Sequence, residues 1–388
     1  MDQPSYDASR SDFRDLADAL SARRHQLPVA IESGSPLHRF ARTQNLSIDV
    51  AEFGDPQSEV CLIATSGLHG VEGHFGARVL RGWMDRLLRQ DCATSVGSRE
   101  RPRVVLIHAL NPFGMANDRR CDAANVDLNR SFFSGDAEWK EVPGNHAHGV
   151  YRDLNPLLNP TGSLGPLDRV YFYVKAMSAI ARHGLPGVTQ AIAEGQREFP
   201  RGLFFGGRAR SPLERPLRDV LKPLFDQSRL VIHVDLHTGL GRWGQCQIIC
   251  EQPVSSSLRD AWAGCIAQHG MQWRATENSV YRADGTLMSW MHGIAAERQV
   301  KLQSVIAEFG TYHSVEVLQA LRVENHAYWQ LMELPTGREA KEKAARRQWA
   351  HSQRTLRSVF DPPRQHWRQR TMAAAIALLD SAITRQES

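Results

Sequence analysis

Four short apolar runs limit how this chain can fold. They are Val60-Cys61-Leu62-Ile63-Ala64-Thr65, Val104-Val105-Leu106-Ile107-His108-Ala109-Leu110, Leu230-Val231-Ile232-His233-Val234-Asp235-Leu236 and Leu302-Gln303-Ser304-Val305-Ile306-Ala307. Runs of this length with a β-branched share read as strands buried on both faces. Between the first two, Ala77 to Leu88 returns to helical spacing. Strand, helix, strand at that separation is a βαβ unit with its strands parallel. Gln247-Ile248-Ile249-Cys250 is a further strand, and Leu46 to Phe53 alternates strictly, as an edge strand with one wet face would. The fold class expected is α/β: three layers, α/β/α, around a mixed, largely parallel central sheet.

Helices are expected at Ser11 to His25, from Glu72 to about Arg89, and at Tyr171 to His183, Gly187 to Glu198, Leu213 to Phe225 and Ser257 to Gln268. Helices dominate again from Val315 to the end, with a break at Pro362-Pro363. Asp91 to Arg101 is a polar loop. The chain divides into a helical extension (1–45), a main domain (46–335) and a basic helical extension packed on it (336–388). The stretch 131–228 is a long insertion in the main domain, irregular around Asn155-Pro156, Asn159-Pro160 and Gly162-Ser163-Leu164-Gly165-Pro166.

Charge and cysteine content exclude several classes. The net charge of +5 is local, because Arg338 to Arg370 carries ten Lys/Arg against three Asp/Glu and the rest is near neutral. That surplus, with scattered Trp349, Phe360 and Trp367, reads as solvated faces of packed helices; no nucleic-acid-reading motif accompanies it. No apolar run approaches a membrane span and the first residues carry no secretory h-region. Six cysteines without a C-x-x-C pair read as reduced thiols, and the expected setting is cytoplasmic.

The polar groups sit where the apolar runs stop. Ser66-Gly67-Leu68-His69-Gly70-Val71-Glu72-Gly73 follows the first, Asn111-Pro112-Phe113-Gly114 the second, His237-Thr238-Gly239 the third and Glu308-Phe309-Gly310 the fourth. In a parallel sheet all carboxyl ends share one edge, the edge where open α/β sheets place their sites. His69, Glu72 and His237 make the two-imidazole, one-carboxylate set of a catalytic zinc, and Glu308 is a spare carboxylate able to take a proton from water. Asp235 shares the face of His237 and is a candidate to orient it. His233, His74 and His108 read as structural.

These segments, with Asn125-Val126-Asp127-Leu128-Asn129-Arg130, resemble the M14 zinc carboxypeptidase superfamily over roughly residues 45 to 330. Asp235-Leu236-His237-Thr238-Gly239 resembles its bacterial branch labelled DUF2817. The resemblance implies that His69, Glu72 and His237 bind one zinc ion per chain, and that Glu308 is the general base that later protonates the leaving amine. It implies an oxyanion role for Arg120 or its neighbour Arg119, and a grip on the substrate's free carboxylate by Asn129 and Arg130. A planar guanidinium suits that grip independently of the resemblance. The segment Tyr281 to Trp290 resembles the family's tyrosine loop, which makes Tyr281 a substrate-capping candidate. The implied activity is that of a zinc-dependent amide hydrolase of the metallocarboxypeptidase type acting on a small peptide. The aspartoacylase-like alternative is an N-acyl-amino-acid deacylase with the same site, and a non-catalytic binding module is the third reading. From Arg130 to His237 the chain is longer than in digestive carboxypeptidases, so the segment containing Phe204-Phe205-Gly206-Gly207-Arg208 must reshape or cover the site.

Overall fold

The computed structural model describes residues 4–29, 45–93, 102–133, 149–275, 283–335 and 337–383. Strands β1 (Arg23–Val29), β2 (Leu46–Phe53), β3 (Val60–Ser66), β4 (Arg103–His108), β5 (Leu230–Gly239), β6 (Cys246–Cys250), β7 (Gln272–Ala275) and β8 (Lys301–Gly310) form one sheet. Their order is β1-β2-β4-β3-β5-β8-β6-β7. The four apolar runs are its centre, β4-β3-β5-β8, all mutually parallel. Antiparallel β2 and β1 extend one side, and β6, antiparallel to β8, carries β7 on the other.

The helices are α1 (Tyr6–Ala19), α2 (Gly73–Ala93), α3 (Pro112–Ala116), α4 (Gly149–Leu158), α5 (Asp168–Glu194), α6 (Glu214–Gln227), α7 (Ser256–His269), α8 (Leu287–Arg298), α9 (Ser314–Met332), α10 (Glu339–Phe360) and α11 (Gln365–Ile383). On one face of the sheet, Phe13 of α1, Trp83 of α2, Trp262 of α7 and Leu378 of α11 pack with Leu62, Ala64 and Val234. On the other, Phe225 of α6 and Trp290 of α8 pack with Ile63, Val105 and Val231. Successive strand residues thus serve opposite cores, as the period of two requires. This is the three-layer α/β/α arrangement. Of the two basic C-terminal helices, α11 belongs to the first core: Trp367 is fully buried and its Nε1 donates to the Gly310 carbonyl at 2.8 Å.

Two readings of the chain start need correction. The helix does not run to His25; α1 ends at Ala19, Ser21 takes a left-handed φ of 54°, and β1 begins at Arg23. Consequently β2 is not the edge and has no wet face, since β1 covers its free side and its residues are buried throughout except Glu52. Arg23 and Arg24 disguise an edge strand, where charge is tolerated because one side faces solvent.

In the insertion, α4 and α5 pack with α9, α10, Leu203 and Phe204 into a separate apolar cluster. Helix α5 covers both expected helices, broken at Gly184 (φ 73°, ψ 150°) ahead of Pro186 and ending at Glu194 short of Glu198. It is apolar on its outer side too: Val170, Val174 and Met177, with Leu167 at its N-cap, are all more than half exposed. Among the described residues, no helix is long and apolar enough to cross a membrane.

Candidate metal centre and active-site cavity

Chain turns with no room for side chains fix the centre. After β3, Gly67 takes a φ of +69°, which glycine adopts without strain. Residues Gly70–Glu72 then form one 3-10 turn leading into α2. Gly70 lies against Gly114 so closely that a Cβ would sit 2.2 Å from its backbone. The Asn111 side chain holds that partner in place, accepting from Gly114 N at 2.8 Å and donating to the Arg120 carbonyl at 3.2 Å. The Arg120 and Arg119 carbonyls in turn accept from Gly70 N and Val71 N. The Asn-Pro-x-Gly segment is therefore the buttress of the His-x-x-Glu turn.

His69, Glu72 and His237 meet in the buried space this creates, with donor atoms within 4.8 Å of one another. Glu72 divides its carboxylate between them: Oε1 is 2.9 Å from His69 Nδ1 and Oε2 is 3.1 Å from His237 Nδ1. Each ring turns its other nitrogen to an aspartate. His69 Nε2 is 3.2 Å from Asp127 Oδ1, and His237 Nε2 is 2.7 Å from Asp235 Oδ2. With Nε2–H donated to a carboxylate, Nδ1 is the nitrogen that would turn its lone pair to a metal ion, the arrangement that metal-ligating histidines show. Arg120 Nη2 also lies 2.8 Å from His69 Nε2. In that tautomer Arg120 Nη2 is a neighbour of that ring nitrogen, not a hydrogen-bond partner. Two imidazole nitrogens and a carboxylate, buried, converging and braced, fit a zinc ion with open coordination.

Charge balance follows from the packing. Burial alone would raise the Glu72 carboxyl, yet the two imidazoles hold it well below the usual range. Burial would lower His237, but Asp235 and Glu72 keep it well above the ordinary histidine value. Asp127 is likewise held low, against its burial, by Arg120 and His69. The row continues along β5: Asp235 Oδ1 accepts from Thr65 Oγ1 at 2.7 Å, Thr65 Oγ1 is 2.9 Å from His233 Nε2, and His233 Nδ1 is 2.8 Å from Ser304 Oγ. His233 is thus structural, as are His74, paired with Asp118, and His108, bonded to Ser9.

Glu308 pairs in register with His237 across β5 and β8 and enters the same cavity. Its Oε1 accepts from Leu240 N at 2.8 Å, and no second hydrogen bond occupies it among the described residues. Burial, reinforced by the Glu72 charge, pushes its carboxyl up to about 7. Arg120 lines the cavity, with Nε on Asp127 at 3.0 Å and Nη1 3.5 Å from Glu72 Oε1. Arg119 points elsewhere: its guanidinium lies 3.3 Å over the Tyr328 ring and bonds Asn125 and Asn325. Arg130 is buried in the cavity wall, held by the Ala193 and Asn129 carbonyls at 2.7 Å each. Among the described residues it has no carboxylate at ion-pair distance. Asn129 lines the cavity beside it while its Oδ1 accepts from Leu287 N at 3.0 Å. Tyr281 lies outside the described residues.

The profile of a family described as "Protein of unknown function (DUF2817)" matches residues 3–374. The chain belongs to the DUF2817 family. No curated protein matches this DUF2817 chain in sequence. Solved structures with a similar course include thrombin activatable fibrinolysis inhibitor (11% identity, 91% of this chain and 78% of that one, TM-score 0.47). Others are a metallo-carboxypeptidase from Burkholderia cenocepacia (11%, 96% and 69%, 0.43) and a succinylglutamate desuccinylase from Chromobacterium violaceum (13%, 90% and 74%, 0.35).

Within this DUF2817 site, every expected residue that is described meets in one cavity: His69, Glu72, Arg120, Asn129, Arg130, His237 and Glu308 all line it. Between the two candidate arginines the structure separates cavity-lining Arg120 from buried Arg119. Sequence reasoning missed Asp127. Its signal was its position in the Asn125 to Arg130 segment, two residues before Asn129, whose backbone N–H it also accepts at 3.2 Å.

Proposed function

We propose that this protein is a zinc-dependent amide hydrolase for substrates with a free carboxylate next to the cleaved bond. The observation that carries the reading is Glu308, a carboxylate with one oxygen unused among the described residues, beside a braced His-Glu-His set in the same cavity. His69, Glu72 and His237 would hold the zinc ion, which supplies Lewis-acid polarisation of the carbonyl and acidification of water.

The other steps belong to the protein. Arg130, buried and without a carboxylate at ion-pair distance among the described residues, receives the substrate carboxylate, and Asn129 borders the same position. Glu308 takes a proton from water as the oxygen attacks the carbonyl carbon, and returns it to the nitrogen as the C–N bond breaks. Arg120, fixed on Asp127, puts a permanent positive charge beside the place where the carbonyl oxygen gains negative charge. A C-terminal peptide bond and the amide of an N-acyl amino acid both present this pairing of amide and carboxylate.

The test is Glu308→Gln in protein with its zinc content measured. One zinc per chain should remain while turnover, read by released amine, falls by about 10²–10⁴-fold. In the wild type kcat/KM should fall as pH drops, because only ionised Glu308 takes a proton. With a cation nearby to draw its pKa down, the midpoint should lie at or below about 7. Wild-type rates in Glu308→Gln, or no zinc uptake, would remove the assignment.

A further inference from the structure

The cavity of about 590 Å³ has two unlike sides. The sheet edge, residues 120–130 and the segment 283–286 give it its charged groups, those described above together with Glu251, Arg274 and Asp284. Helices α4, α5 and α9 give it, among others, Leu154, Leu158, Phe172, Ile180, Val188 and Leu321. Among the described residues, no charged side chain from these three helices lines the space, and their only hydroxyls there are Thr189 and Ser314. The mouth is apolar as well, since Leu185 and Leu240 line the cavity and remain 59% and 36% exposed.

Resting on the hydrolase reading, we infer that the substrate is an amino acid N-acylated with a long hydrocarbon chain, and that α4, α5 and α9 house the chain. Once the carboxylate is at Arg130 and the amide at Glu308, the rest of the substrate must lie against these helices. A peptide would bring a backbone N–H and C=O with every residue, and each one buried without a partner costs binding. A wall with two hydroxyls cannot satisfy them. A hydrocarbon chain needs no partners and gains about fourfold in affinity for each methylene buried. The volume is in the range of pockets that enclose a whole small molecule. Hydrolysis adds water across the amide C–N bond, so the products are a fatty acid and the free amino acid, with no other reactant.

The experiment compares N-acetylglycine, N-hexanoylglycine, N-decanoylglycine and triglycine. Binding to zinc-loaded Glu308→Gln is measured by calorimetry, and turnover of the wild type by released amine. The decanoyl compound should bind at least 100-fold more tightly than the acetyl compound, with kcat/KM following the same order and triglycine falling below decanoyl. Ala176→Trp, on the α5 wall, should remove at least tenfold of the decanoyl advantage and leave acetyl within about twofold; Val188→Phe is the second variant should the first fail to fold. Binding independent of chain length, or best with triglycine, overturns the inference while any measurable amide turnover keeps the hydrolase reading. Length-dependent binding with no turnover of any substrate does the reverse.

Discussion

The Asp127 carboxylate stands 3.2 Å from His69 Nε2, on the side of the ring away from Glu72. It is fully buried and also accepts from Arg120 Nε at 3.0 Å, so one side chain sets both the tautomer of a candidate metal ligand and the position of the cavity's arginine. Asp127→Asn keeps the shape and removes the charge. Zinc affinity, measured by competition with a chelator, should fall 10- to 100-fold. A change within twofold would mean that Asp127 merely fills space.

His237 would make metal binding at the candidate centre a proton-linked event. In the metal-free site Asp235 and Glu72 hold its pKa well above the ordinary value, so near neutral pH the ring carries a proton on each nitrogen. Its Nδ1 must lose that proton to become a ligand. Zinc binding at pH 7 should therefore release at least one proton, and affinity should weaken as pH falls. Calorimetry in buffers of different ionisation enthalpy reads the number directly; a value of zero would contradict the protonated pairing.

Arg130 is held from behind by two backbone carbonyls and meets no carboxylate of its own among the described residues. Arg130→Lys keeps the charge but loses the fork that binds a carboxylate through two hydrogen bonds. KM for a carboxylate-bearing substrate should rise at least tenfold with kcat changed only a few-fold, and the wild type should reject the corresponding carboxamide. Equal losses in kcat and KM would point to a general distortion.

The centre of the fold and most of its site were legible because both depend on local pattern. The runs at Val60, Val104, Leu230 and Leu302 are buried on both faces, so they stay mainly apolar despite His233, Asp235, Gln303 and Ser304, and the residues that end them stand at one edge by topology. Strand β1 was not legible, since Arg23 and Arg24 face solvent and nothing in their spacing distinguishes an edge strand from a helix end. Asp127 and the choice between Arg119 and Arg120 depend on an irregular stretch whose contacts, to His69 and Asn325 for instance, are made far along the chain. The apolar wall of the cavity was hidden for a different reason. Phe172 and Leu158 have the spacing of ordinary core residues, and only the fold shows that they border a space.

Gly70 offers a test of how tightly the His-x-x-Glu turn is set. A methyl group there would stand 2.2 Å from the Cα and carbonyl carbon of Gly114 and 2.4 Å from Met115 N. All three are backbone atoms, and Gly114 cannot retreat because its N–H is held by Asn111 Oδ1 at 2.8 Å and its carbonyl by Arg119 N at 2.7 Å. Gly70→Ala must therefore push the turn that carries His69 and Glu72. Overpacking of this kind costs about 1–3 kcal/mol or more, so the melting temperature should drop and zinc affinity with it. Gly264→Ala, in the middle of α7 with nothing within 4 Å of the added methyl, is the control and should keep or raise the melting temperature. If Gly70→Ala melts with the wild type and binds zinc equally well, the contact with Gly114 does not position the metal ligands.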